Sequence, residues 1–187
     1  MSAFTDVVAT VPPGEIGIAR IVHDSPDEFT RLRAAIKGML LDQSKFVRLF
    51  VGDTLMMTDA RFERISNLTV IDRAKGKALV AGLGIGLILK PLIKACSSVT
   101  IIEKHADVIS LVGPRFPECT VIHSDIFDWT PAKGTKYDTI YFDIWPDICT
   151  DDLDEAQQLH RKFRKYLAKD GWMGSWTTVA NKLMRRR

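Results

Sequence analysis

The chain has 187 residues, of which 46% are hydrophobic and 26% charged, and its formal net charge is +3. This composition is that of a globular domain with a full core and a small appendage, and it excludes wholesale disorder. The apolar runs fall short of the roughly 20 residues that a membrane-spanning helix needs, and the N-terminus lacks the basic region of a signal peptide. The cysteines, three in number, have neither disulfide nor metal-site spacing. We therefore expect a cytoplasmic protein that holds no metal.

Residues 1–58 are predicted to form a small β-rich element. The segment from Glu15 to Val22 alternates as a strand does. Ser25 to Glu28 then has the cap, the proline and the glutamate of a helix start, and apolar residues follow on one helix face as far as Leu40. Two apolar runs flank Gly52-Asp53, which indicates a tight hairpin that ends near Met56.

Residues 59–187 are predicted to form an α/β domain, which opens with a helix capped by Thr58 or Asp59. The segment from Lys77 to Gly86 predicts a buried parallel strand, a glycine-rich turn and the start of a second helix. Glycines at 82, 84 and 86 suit a loop that turns sharply and lies close to a ligand such as a nucleoside. The same pattern also occurs in turns that serve packing alone.

Three further predicted strands each end in an acid. They run from Ser98 to Glu103, from Thr120 to Asp125 and from Tyr137 to Asp143. The carboxyl ends of parallel strands meet at one edge of a sheet, and ligands of such sheets bind in the crevice there. We therefore expect the three acids to converge on one crevice with the glycine loop.

These residues resemble a known family. The glycine series at 82–86, Glu103, the segment Ser124 to Phe127 and the strand ending at Asp143 are similar to the S-adenosylmethionine-dependent methyltransferase fold, particularly to its spermidine-synthase-like branch. The resemblance extends over roughly residues 59–176, and its four motifs have the expected order and spacing.

The resemblance implies a cofactor, which is S-adenosylmethionine or its decarboxylated form. By resemblance, Gly82, Gly84 and Gly86 pass under its methionine part, Glu103 binds the ribose hydroxyls, and Asp125 with Ile126 holds the adenine. Val80 stands where the family often has an acid that contacts the methionine amino group. A dinucleotide-binding site is disfavoured, because Leu87 stands where that fingerprint requires a third glycine.

Asp143 is the candidate catalytic residue, since methyl transfer needs a positioned acceptor and, in some cases, a base. Trp145 and Met56 are the candidate acceptor-binding residues. By resemblance, aminopropyltransferases follow the corresponding aspartate with Asp-Pro, whereas this chain has Pro146-Asp147. The alternative is structural: Asp143 caps the next turn and Trp145 packs the loop.

The last predicted elements are a helix with apolar residues from Leu153 to Leu167, stopped at Gly171, and a fifth strand from Trp172 to Thr178. The expected fold is therefore a Rossmann-like methyltransferase sheet of parallel strands in the order 3-2-1-4-5, truncated after the fifth strand. A homodimer through the exposed edge of that strand, or through the N-terminal element, is expected.

Three functions stay open at this point. The first is a methyltransferase that acts on a small-molecule acceptor, and the second is an aminopropyltransferase. The third is a non-catalytic protein of the same fold that binds nucleosides weakly or serves in an assembly. Clusters of basic residues near 161–165 and 185–187 leave nucleic acid open as an acceptor, although a charge of +3 does not by itself indicate it.

Overall fold

The structure is a computed structural model, and it describes residues 4, 7–25, 28, 31–32, 45–146 and 150–184. The predicted helix that starts at Ser25 lies largely outside the described residues. Within the described part of the chain, none of the helices has the length and apolar character needed to cross a bilayer.

The N-terminal part contains a four-stranded antiparallel sheet, which follows a single helical turn, α1 (Val7–Thr10). The strands lie in chain order: β1 (Gly14–Ile16), β2 (Ala19–Asp24), β3 (Phe46–Val51) and β4 (Thr54–Thr58). The single strand predicted from Glu15 to Val22 is wrong, because a turn at Gly17, with φ of 54°, folds it into a hairpin. The hairpin predicted around Gly52-Asp53 is present between β3 and β4.

The second sheet has five parallel strands in the order β7-β6-β5-β8-β9, which confirms the predicted order 3-2-1-4-5. Their bounds are β5 (Gly76–Ala81), β6 (Cys96–Glu103), β7 (Thr120–His123), β8 (Tyr137–Phe142) and β9 (Leu167–Ser175). The central strand β5 is fully buried from Ala78 to Ala81. Such a continuous apolar run is typical of a strand with both faces covered by helices.

Five helices connect and cover these strands: α2 (Arg61–Arg73), α3 (Leu89–Ala95), α4 (Ala106–Val112), α5 (Thr150–Phe163) and α6 (Trp176–Met184). Short 3-10 turns follow α4 at Gly113–Arg115 and α5 at Arg164–Tyr166. Pro91 is the third residue of α3, within the first turn, where a backbone N–H has no partner inside the helix. The proline is therefore compatible with the helix.

The residue before α2 is Ala60, and neither Thr58 nor Asp59 caps that helix as predicted. Asp59 instead accepts a hydrogen bond from the backbone N–H of Val47 at 2.9 Å and pairs with Arg64 at 3.0 Å. Its carboxylate is completely buried. It therefore joins the antiparallel sheet to α2 rather than ending the helix.

The C-terminal part differs from the prediction at two points. Helix α5 ends at Phe163 and β9 begins at Leu167, so Gly171 lies inside a strand and stops no helix. A Cβ at Gly171 would lie 3.0 Å from the carbonyl oxygen of Asp138, so close approach of two strands requires the glycine. Trp176 to Thr178, predicted as strand, begin α6, whose Trp176 donates a hydrogen bond to Ser66 of α2 at 2.9 Å.

Candidate functional site

A cavity of about 380 Å³ lies at the carboxyl ends of β5, β6, β7 and β8. This volume is in the range of small-molecule sites. The strand ends form one side, and the β3–β4 hairpin, α2 and α5 contribute the rest. The structure brings together all the candidate site residues except one: Met56, Gly82, Gly84, Glu103, Asp125, Ile126, Asp143 and Trp145 all line the cavity.

The glycine loop touches its surroundings closely at two of these positions. Gly82 has φ of 95°, donates its N–H to the carbonyl of Ile102 at 2.9 Å, and leaves no space for a Cβ, which would overlap the carbonyl oxygen of Asp143. A Cβ at Gly84 would overlap the sulfur of Met57. Gly82 thus allows the ends of β5 and β8 to meet, and the hairpin methionine covers the loop.

Gly86 is the candidate residue that does not line the cavity. A Cβ at this position would overlap the ring of Phe116, which is 2% exposed and belongs to the hydrophobic core. The space left by Gly86 is therefore filled by a core side chain, and packing explains this glycine.

Glu103 is a buried carboxylate with two backbone partners. Its Oε2 accepts the N–H of Leu83 and its Oε1 accepts the N–H of His105, each at 2.8 Å. The side chain therefore ties the glycine loop to the residue that precedes α4. Each carboxylate oxygen can accept a second hydrogen bond, so Glu103 can still bind a ligand hydroxyl in the cavity.

Asp125 is also anchored. Its Oδ1 accepts the N–H of Phe127 at 2.9 Å, and its Oδ2 pairs with the ammonium of Lys104 at 2.9 Å. Burial raises the pKa of Asp125, but the bonds from Phe127 and Lys104 outweigh burial and hold the pKa below its ordinary value. The next residue, Ile126, is 3% exposed and packs in the core.

A second pair of acids lies near the end of β8. Asp143 is fixed by its backbone, which donates an N–H to the carbonyl of Ala81 at 2.8 Å, and burial raises the pKa of its half-buried carboxyl to about 7. Glu63 projects from α2 into the same cavity. Burial and the charge of Asp143 raise the pKa of Glu63 to about 8, although the nearby indole of Trp176 acts to lower it. Among the described residues, neither carboxylate has a basic partner.

Buried polar contacts fix α2 against β8 beside this pair. The hydroxyl of Tyr141 donates to Oδ1 of Asn67 at 2.9 Å, and Asn67 and Ser66 donate to the backbone carbonyl of Glu63 at 3.1 and 3.0 Å. Burial, together with the charges of Asp143 and Glu63, raises the pKa of Tyr141 well above its ordinary value. The tyrosine is therefore a neutral hydrogen-bond donor.

Trp145 forms a rigid part of the cavity wall. It is 6% exposed and packs in the core cluster that contains Phe142 and Phe163. Its indole N–H donates to Oε2 of Glu155, on α5, at 2.8 Å. The side chain thus packs the loop and lines the cavity at the same time.

Met57 lines the cavity beside Met56, and so do Glu63 and Glu155, two acids that the sequence patterns did not indicate. Two of them lie on helices, where an acid among other polar residues has no distinguishing pattern. A signal for Glu63 existed: it is an acid in the first turn of the helix that connects the hairpin to the central strand. That position faces the carboxyl edge of the sheet in this fold.

No protein-family model matches the chain, and no curated protein sequence matches it. Several solved structures are similar to it at low identity. A complex of DhpI with SAM and HEP is 23% identical, with 59% of this chain and 51% of that chain covered and a TM-score of 0.49. The N-methyltransferase NodS from Bradyrhizobium japonicum WM9 is 18% identical, with 68% of this chain and 83% of that chain covered and a TM-score of 0.49.

A putative methyltransferase from Pseudomonas syringae is also 18% identical, with 68% of this chain and 84% of that chain covered and a TM-score of 0.49. The alignment spans about half the length of the DhpI structure. The order and direction of the five strands by themselves define a Rossmann-like α/β sheet.

Proposed function

We propose that the chain is an S-adenosylmethionine-dependent methyltransferase that acts on a small-molecule acceptor. One observation carries the proposal: a single cavity at the carboxyl edge of a parallel sheet collects Glu103, Asp125 and Asp143 around the glycine loop. This edge is where open α/β sheets bind nucleotide-like ligands.

The residues present fit the adenosine part of this cofactor. Glu103 is already oriented by two backbone N–H groups, and its remaining acceptor capacity suits the two hydroxyls of a ribose. Asp125 is held ionised and can accept a hydrogen bond from an adenine amino group. Gly82 and Gly84 of the β5 turn line the same cavity and so present backbone to a ligand there.

When bound, S-adenosylmethionine supplies a methyl group attached to a positively charged sulfur. The chain must position the acceptor and, where the acceptor carries a proton, remove it. Asp143 suits the second task, because a carboxyl with a pKa of about 7 is partly ionised at neutral pH and can also carry the proton away. Met56, Met57 and Trp145 provide apolar walls that exclude water.

The same cavity supports a second candidate, aminopropyl transfer from the decarboxylated cofactor. The observation in its favour is the small antiparallel sheet, whose β3–β4 hairpin closes over the cavity. Val80 also fits it, since this buried residue offers no charged contact to the amino-acid end of a cofactor. A non-catalytic protein of this fold is the third candidate.

Calorimetry with S-adenosylmethionine, its decarboxylated form and S-adenosylhomocysteine distinguishes the three. A methyltransferase binds the first and third, an aminopropyltransferase prefers the second, and the non-catalytic protein binds none tightly. Transfer of label from methyl-labelled cofactor to amines, phenols, nucleic acid and protein extracts then identifies the acceptor. The proposed function is wrong if no S-adenosyl ligand binds. It is also wrong if Glu103→Ala binds these ligands as tightly as the parent does, while the exposed control Glu118→Ala behaves like the parent.

A further inference from the structure

Glu63 and Asp143 are a second pair of carboxyls in the cavity, and no backbone N–H or basic side chain of the described residues binds them as such groups bind Glu103 and Asp125. They come from different elements, α2 and the end of β8, and they line the same cavity, where the charge of Asp143 contributes to the raised pKa of Glu63. The contacts around Tyr141, Asn67 and Ser66 fix both elements. The two acids are therefore held together by the fold rather than by a counterion.

Side chains from β8, from α6 and from the β3–β4 hairpin surround this pair. Tyr141 of β8 is neutral, the indole of Trp176 on α6 lies near Glu63 and donates to Ser66, and the hairpin contributes the thioethers of Met56 and Met57. The remaining titratable residues of the cavity lie at the end of β6, just after β6 and β7, and on α5. They are Glu103, Lys104, His105, Asp125 and Glu155.

Lys104 is the single lysine or arginine among these lining residues, and Asp125 already holds it. Glu155 is bound to the indole of Trp145 and adds negative charge to the same space. The cavity therefore carries an excess of negative charge near the end of β8. Burial among negative charges without a compensating cation disfavours the ionised form of a carboxyl, so these two side chains tend to keep their protons when no ligand is bound.

We propose that Glu63 and Asp143 act together as a site for an ammonium group, and that a proton held on the pair when no ligand is bound is released to the solvent when the ammonium group binds. The charges balance: a pair of net charge −1 loses one proton, becomes −2 and faces one cation. The proposal rests on the proposed function only in that it takes this cavity as the ligand site.

The ammonium group can come from two sources. One is an amine acceptor, and the other is the amino group of the cofactor's methionine part, for which Val80 offers no charged partner. The chemistry is the same in both cases, since two carboxylates recognise a cationic nitrogen. The experiment therefore uses one pair of probes for each source.

The test is calorimetry at pH 7 in two buffers of different ionisation enthalpy, which counts the protons released on binding. Butylamine and 1-butanol form one pair of probes, and S-adenosylhomocysteine and 5′-methylthioadenosine form the other. In each pair only the first member carries an ammonium group. We expect release of a substantial fraction of one proton with at least one ammonium probe and none with its neutral counterpart.

Glu63→Gln should reduce the proton release and weaken that ammonium probe by about tenfold or more, while the affinity of the neutral counterpart stays unchanged. Glu15→Gln, an exposed substitution on β1, is the matched control and should behave like the parent. Should Glu63→Gln fail to fold, Asp143→Asn replaces it, with the same expected loss of proton release.

Release with butylamine identifies the acceptor as the source, and release with S-adenosylhomocysteine identifies the cofactor. The proposal is overturned if neither ammonium probe releases a proton, or if Glu63→Gln and Asp143→Asn bind both as the parent does. Binding of butylamine with proton release but without any S-adenosyl affinity would instead sink the proposed function and leave the pair standing.

Discussion

The two sides of the cavity use the same kind of side chain in opposite ways. At the ends of β6 and β7, Glu103 and Asp125 accept hydrogen bonds from backbone N–H groups, and Asp125 also has Lys104. At the end of β8, Asp143 and its neighbour Glu63 have no basic partner in the described part of the chain. The first pair is fixed and the second is free to take up a proton.

Asp125 and Asp143 can be compared directly, because both are half-buried aspartates that follow parallel strands. Burial raises the pKa of each, yet the pKa of Asp125 is lowered overall and that of Asp143 rises to about 7. The difference comes from the donors that surround each carboxylate. Donors keep one acid ionised for binding, and their absence leaves the other able to exchange a proton.

The connection between the two sides depends most on Gly82, so Gly82→Ala should have the largest effect on stability. The Cβ would overlap the carbonyl oxygen of Asp143 at a φ of 95°, which should cost about 3 kcal/mol or more in unfolding free energy. Urea unfolding measures it. Gly134→Ala is the control, since Gly134 has φ of 86° but open space, and should lose only about 1 kcal/mol. Equal losses would show that no contact with β8 is involved.

Asp143→Asn separates the two sides functionally. The amide keeps the shape but cannot take a proton, so turnover on the acceptor should fall about 100-fold or more. Affinity for the adenosine part, measured with 5′-methylthioadenosine, should stay near the parent value, because the proposed adenosine contacts lie at Glu103 and Asp125. Steady-state kinetics and calorimetry provide the two readouts, with the exposed turn variant Asp53→Asn as control. Unchanged turnover would make Asp143 a structural residue.

Glu103→Ala tests the anchored side. Affinity for S-adenosyl ligands should fall by roughly 1.5 to 3 kcal/mol, because a charged acceptor is lost. Unfolding free energy should also fall by about 1 to 3 kcal/mol, since the N–H groups of Leu83 and His105 lose their partner. Glu103→Gln, which keeps an acceptor oxygen, should lose less of both. A variant with full stability would contradict the anchoring contacts.

The pH dependence of stability distinguishes the two sides without any ligand. A raised pKa means that the folded protein keeps protons that the unfolded chain has released. The contribution of such a carboxyl to the unfolding free energy is therefore fully present below the ordinary carboxyl pKa. It is lost as the pH rises toward the folded values of about 7 for Asp143 and about 8 for Glu63. Each group lowers the unfolding free energy by at most about 1.4 kcal/mol per pH unit in that window.

Chemical unfolding from pH 5 to pH 9 measures this slope, and Glu63→Gln should flatten it toward the upper end. Asp125 acts in the opposite sense, because its lowered pKa contributes stability above its ordinary value that is lost on acidification. A parent protein whose stability rises steadily from pH 5 to pH 8 would contradict the raised values.

The smallest effect is expected for Lys104→Gln. The side chain of Lys104 is 66% exposed, so its ion pair with Asp125 should contribute less than about 1 kcal/mol to stability. The pKa of Asp125 should rise, which a carboxyl-detected NMR titration can follow. An unchanged titration would show that the backbone N–H of Phe127 and the charge of Lys162 are enough to hold the pKa of Asp125 down.

The sequence predicted the parallel sheet and the acids at its edge, because topology places every strand end of such a sheet on one side. It did not predict Glu63, since the face that a helix turns to a cavity depends on tertiary packing. The sequence from Tyr166 to Thr178 is compatible with either a helix or a strand. Pairing with β8, in which Trp172 lies opposite Thr139, makes Leu167–Ser175 a strand. Gly86 shares the spacing of the ligand-side glycines, and only the position of Phe116 shows its different role.

The strand order also determines which side of the cavity can form first as the chain leaves the ribosome. β5 can pair with β6 after about 25 further residues have emerged, and β7 then completes the edge that holds Glu103 and Asp125. The other flank of β5 must wait for β8, whose Thr139 lies opposite Ala78. The side that holds Glu103 and Asp125 is thus able to assemble first, and the side of Glu63 and Asp143 only when loop closure over some 60 residues brings in Asp143.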